Sequence, residues 1–162
     1  MAERLPRQPN TCFDLVSGIA DVSVPISKIT AIPCEEKTVD LAKSAIKFFS
    51  LCEVLDKSFG EVVLRISERE YKALPRAINE NEGVFRNLLF YFTHRHVREC
   101  VEDMSLGARI LFSLLAAIAV ILCAEKIDGD DRYLRSAVAF SKNIEYSTEN
   151  VDMVLEKISD IL

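Results

Sequence analysis

Between Arg109 and Glu125 the chain reads Ile110-Leu-Phe-Ser-Leu-Leu-Ala-Ala-Ile-Ala-Val-Ile-Leu-Cys-Ala124, fifteen positions in which Ser113 is the only polar residue. A helix that is apolar on every side belongs either in a membrane or at the centre of a bundle. At about 1.5 Å per residue this run reaches about 22 Å, short of a hydrocarbon core about 30 Å thick. Arg109 at one end and Glu125-Lys126 at the other confine it. It reads as the buried central helix of a soluble bundle, over about residues 106–124. Such a helix dissolves only if others cover it, each contributing roughly 25 cal/mol per Å² of apolar area buried. The expected fold is all-α, with amphipathic helices around one hydrophobic rod.

The flanks supply those helices. Thr38 precedes Leu41, Ala42, Ala45, Phe48, Phe49, Cys52 and Leu55 at three- and four-residue steps, with Thr38 as N-cap and Gly60 as the stop signal. Val62-Val63-Leu64 fits a strand or a helical turn equally, and Pro75 should break whatever precedes it. Asn81 then caps a helix carrying Phe85, Leu88, Leu89, Phe92, His96 and Cys100 and ending near Asp103. Beyond the central run, Asp128-Gly129-Asp130 is a tight acidic turn. A helix follows through Tyr133, Leu134, Ala137, Val138 and Phe140, and a last one runs from Val151 to Leu162 with Thr148 as candidate cap. Upstream, Phe13, Val16, Ile19 and Ala20 suggest a short amphipathic helix capped by Asn10 or Thr11, and Pro25 and Pro33 an extended stretch.

With 162 residues the chain fits a single helical domain, 1–162, with residues 1–10 as a flexible lead-in. Twenty Lys plus Arg against 25 Asp plus Glu leave a net charge of −5, which argues against binding nucleic acid by phosphate neutralisation. Five cysteines, an odd number without a C-x-x-C, read as free thiols of a reducing cytosol. No secretory signal and no tail anchor are read.

Catalytic patterns are weak, and the chain reads as a non-enzyme. His94 and His96 stand two apart, about 200° around a helix, so they share no metal; the expectation is a solvated His94 and a groove-side or core His96. Cys100 lies one turn from His96 without an orienting acid and reads as a packed thiol. Glu35-Glu36 and Asp130-Asp131 read as solvated, turn-like pairs. No metal and no cofactor are expected. The junction Glu99 to Leu115 is more telling. An acidic helix ends, the small step Gly107-Ala108 follows, and Arg109 opens the apolar helix. An arginine at such a rim needs a carboxylate or water beside it, supplied by Asp103 or Glu102 or by an acid on an incoming helix.

That junction resembles the first homology motif of the Bcl-2 family of apoptosis regulators, E-L-F-x-D-G-x-N-W-G-R-I/V. Glu99, Cys100, Val101, Asp103, Ala108, Arg109 and Ile110 stand at its E, L, F, D, G, R and I/V positions. Gly107 replaces the tryptophan, Leu106 the asparagine and Ala108 the glycine; a second register keeps Gly107 as that glycine and displaces Arg109 by one. The order of apolar helix, acidic turn and second helix is similar to the family layout. The spacing of Leu41, Ala45 and Phe48 is similar to its third homology helix, with Ile46 in place of the aspartate. The second homology motif is missing, and such divergence resembles viral members of the family.

The resemblance implies a Bcl-2-like bundle and an anti-apoptotic function. The partners would be pro-apoptotic proteins, whose amphipathic death-motif helix, Bim-type, would enter a surface groove. Phe48, Cys52, Leu55 and Phe59 on one helix and Leu89, Phe92, His96, Glu99 and Cys100 on another would form its walls, Ile110 its floor, and Arg109 would pair with the ligand's aspartate. It implies work in the host-cell cytosol, with peripheral contact with mitochondria and homodimerisation left open. A pore-forming relative, and an adaptor of the same fold for another signalling protein, are the alternatives.

Overall fold

Burying an all-apolar rod dictates the architecture. The computed structural model describes residues 35–100 and 105–160. The helix read from Cys12, the stretch around Pro25 and Pro33, and the partners offered for Arg109 at Glu102 and Asp103 lie outside them. Among the described residues there are seven α-helices and no strand: α1 (Glu35–Ser50), α2 (Lys57–Leu64), α3 (Glu68–Glu80), α4 (Glu82–Val97), α5 (Leu106–Ala124), α6 (Arg132–Phe140) and α7 (Thr148–Ser159), with a π-helical turn, Ser141–Glu145, after α6. Helix α5 is the rod. By length and composition it could cross a membrane, but every residue from Ala108 to Ala124 is buried and each of the other six helices touches it. Its one interior hydroxyl, Ser113 Oγ, donates back to the Arg109 carbonyl at 2.8 Å, so no polar group is left open along the rod.

Aromatic rings join the outer helices across the rod's flank. Phe140, fully buried, meets Phe49 of α1 at 4.9 Å, Phe92 of α4 at 5.3 Å and Phe59 of α2 at 5.8 Å, all edge-to-face. This is the geometry that ring quadrupoles favour. Ser136 Oγ ties α6 to α5 by donating to the Val120 carbonyl at 2.7 Å.

Several boundaries differ from the sequence reading. Helix α1 opens at Glu35, in the pair read as turn-like, and Thr38 is buried inside it instead of capping it. The helix ends at Ser50, ten residues before Gly60. Side chains far along the chain capture the backbone beyond it: Asn150 Oδ1 accepts from the Glu53 amide at 2.9 Å, and Asn143 Oδ1 from the amides of Leu55 and Asp56 at 2.8 and 2.9 Å. Asp56 then caps α2 by accepting from the amides of Ser58 and Phe59. Gly60 lies inside α2, where a Cβ would stand 2.9 Å from Val54 Cγ1. Its bareness lets the connection fold back on the helix. The ambiguous Val62-Val63-Leu64 is the end of α2.

Pro75 does not break its helix. It sits inside α3, forgoing one backbone bond, at a cost of about 3 kcal/mol. Burial of Leu74, Ala77 and Ile78 offsets this, as does a cap at the other end. There Glu70 Oε2 accepts from the Ser67 amide at 2.9 Å and from Ser67 Oγ at 2.6 Å, while Oε1 pairs with Lys126 Nζ at 2.7 Å just past α5. Lys126 first and Ser67 second hold the Glu70 carboxyl at a pKa of about 2, down from 4.5. A depressed acid stabilises fully above its ordinary value and loses that contribution as pH falls through the folded value. Urea titrations of Glu70→Gln should therefore differ most from the parent at pH 7, by about 1 kcal/mol, and converge towards pH 2. An equal difference at both pH values would defeat this assignment.

The acidic turn is confirmed. Gly129 holds φ at +107°, a region that side chains disfavour, and Arg135 Nη1 donates to the Asp128 carbonyl at 3.0 Å. Helix α7 begins earlier than read. Ser147, one residue before Thr148, is the cap and accepts from the Asn150 amide at 3.1 Å.

Candidate peptide-binding site

Arg109 stands in the first turn of α5 with its side chain 9% exposed. Its Nη1 donates to Glu99 Oε2 at 2.6 Å and lies 3.5 Å from the His96 carbonyl, and Nε donates to Ser105 Oγ at 3.0 Å. The helix whose apolar face demands burial thus carries its cation to the rim, where Glu99, just beyond α4 and 59% exposed, meets it. Glu99, the exposed member of the pair, can turn to water, whereas the nearly buried Arg109 keeps its need of an acceptor.

His96, one turn before Glu99, is 4% exposed and belongs to the core, packed against Phe112 at 4.6 Å and Phe92 at 6.5 Å. Its Nε2 lies 3.1 Å from Glu145 Oε1. Arg95 Nε is 2.9 Å from the same oxygen, while Tyr91 and Ser141 donate to Oε2. Burial alone would raise the Glu145 pKa. The bonds from His96 and Ser141 and the attraction of His96 and Arg95 outweigh it and hold the value below the ordinary one. Burial pushes the Cys52 thiol up to about 12, which makes it a poor nucleophile.

The structure unites part of the predicted groove. His96, Glu99 and Arg109 are in contact, Phe92 stacks near His96, and Phe59 and Phe92 both reach Phe140. The first wall is not one helix: Phe48 is half-buried on α1, Cys52 and Leu55 lie in the connection, and Phe59 is on α2. Cys52, Phe59, Leu89, Phe92, His96 and Ile110 are covered in the core, Cys100 is half-buried, and Leu55 is 51% exposed. The open clefts lie elsewhere. One of about 270 Å³ between the α1 end and α2 shares Phe59 with the predicted set. Another of about 650 Å³ runs along the outward side of α4 and shares Glu99. Sequence reasoning missed Arg95 and Glu145, whose partnership spans about fifty positions and leaves no local pattern. It also missed Phe90 and Tyr91, whose exposure a count of apolar residues does not reveal.

Comparison of the chain with family profiles, curated proteins and solved structures yields no match.

Proposed function

We propose that the chain is a non-enzymatic, Bcl-2-like anti-apoptotic protein that sequesters the amphipathic death-motif helices of pro-apoptotic proteins such as Bim. The observation that carries the reading is Arg109, a nearly buried cation at the rim of a central apolar helix, answered by the exposed and replaceable carboxylate of Glu99. An incoming helix with apolar residues on one face and an aspartate would exchange its carboxylate for that of Glu99. Because the Glu99 bond is given up as the new one forms, the net gain lies below the roughly 1.5–3 kcal/mol of a charge-assisted bond. The action would take place in the cytosol.

Calorimetric titration with a Bim-type peptide tests this. Binding with a negative heat-capacity change is expected. Arg109→Ala should weaken it about tenfold, which corresponds to about 1.4 kcal/mol. Unchanged affinity in a folded Arg109→Ala chain removes the arginine from the site. No heat with any peptide of a death-motif panel favours the adaptor reading.

A further inference from the structure

Helix α4 is apolar on both sides. Phe85, Leu89, Phe92 and His96 point to the core, while Phe90 is 58% and Tyr91 46% exposed. At about 100° per residue, Phe90, Tyr91, His94 and Arg98 gather on the side opposite the buried set. Arg86 and Arg95 flank them. Large exposed aromatics grouped on one face mark an interaction surface, whereas scattered ones do not. Here they line the 650 Å³ cleft, with Phe90 and His94 stacked at 6.1 Å.

Charge names the partner. The chain carries −5 overall, yet among the described residues the acid lining this cleft is Glu99, and its carboxylate is turned to Arg109. Arg95 is answered by Glu145. Arg86 and Arg98 make no ion pair among the described residues. Two unanswered guanidinium groups beside two exposed rings fit a segment that is both apolar and acidic. An anionic bilayer fits less well, because the remaining negative charge opposes it and the surface is concave. A second copy, which offers exposed Leu51, Val54, Leu55 and Leu64 beside Glu53 and Glu61, is the competing occupant that the test below separates.

We infer that the outward face of α4, which meets the Arg109 rim at Glu99, is a second docking surface for an acidic amphipathic helix of another protein. Leucine-type anchors would sit on Phe90 and Tyr91, and carboxylates would reach Arg86 and Arg98 in bidentate pairs.

The test is amide-shift mapping of the full chain with a twenty-residue helical peptide bearing leucines every three to four positions and aspartates or glutamates between them. In the Arg109→Ala chain, where the proposed groove is disabled, shifts confined to Arg86–Glu99 are expected. Affinity should fall at least tenfold in Arg86→Glu/Arg98→Glu and in Phe90→Ser, exposed positions that leave the core intact. It should also fall as salt rises. The same peptide with lysine for every acid should not bind. Arg109→Ala should retain the acidic peptide, which separates this surface from the proposed groove. Shifts elsewhere, equal binding of the basic peptide, loss in Arg109→Ala, preference for phosphatidylserine vesicles, or a dimer abolished by the charge reversals would each overturn the inference.

Discussion

Phe140→Ala is expected to lower the unfolding free energy by about 3–5 kcal/mol, the range for deleting a fully buried aromatic. Small domains hold only about 5–15 kcal/mol in all, so the loss is a large share of the total. Position makes the cost high. The Phe140 ring meets α1, α2 and α4 at once, through Phe49, Phe59 and Phe92, and α6 presents it from its last residue. Three rings on three helices cannot all collapse into one void. Phe140→Leu keeps much of the volume and should recover more than half of the loss. Chemical denaturation with parallel near-ultraviolet signals measures both; a loss under about 1.5 kcal/mol for alanine, half the low end of that range, would mean that the cluster relaxes freely.

Glu145→Ala is expected to cost about 3 kcal/mol, near the lower end for breaking a buried ion pair from one side. The side chain is 1% exposed, and its removal strands His96 in the core and leaves Ser141 and Tyr91 without their acceptor. Arg95, 46% exposed, can turn to water, which keeps the figure at the low end. The acid's folded pKa lies below its ordinary value, so the contribution is complete above the ordinary carboxylate range and is lost as pH falls below it. Denaturation of parent and Glu145→Ala should therefore give a gap that narrows in acid. A gap unchanged down to about pH 2 would mean that packing, not the carboxylate, is what the alanine removes.

The central helix was legible because its chemistry admits few solutions. Fourteen apolar residues of fifteen, confined between Arg109 and Glu125-Lys126, read as a rod wrapped by other helices. The inward face of α4 was equally legible, since Phe85, Leu89, Phe92 and His96 recur at helical steps. Periodicity tells which side is greasy but not what covers it, and so residues read as groove wall lie beneath the surface. The break between α1 and α2 was illegible for another reason. Leu41 to Leu55 keeps a helical pattern past the true end, and the groups that stop it, Asn143 and Asn150, come from about ninety residues downstream. Local signals also misjudged Pro75 and Gly60, where tertiary burial and the close approach of Val54 decide the outcome.

The π-helical turn has a consequence for which changes in chain length this protein tolerates. Its five-residue step, closed by the Tyr146 amide on the Ser141 carbonyl at 3.0 Å, presents Asn143, Ile144 and Glu145 inward in succession. Swapping exposed Lys142 for another residue leaves that phase untouched. Deleting it would rotate all that follows by about 100°, parting Asn150 from Glu53. Evolution can therefore rewrite the letter at this place far more easily than it can drop it.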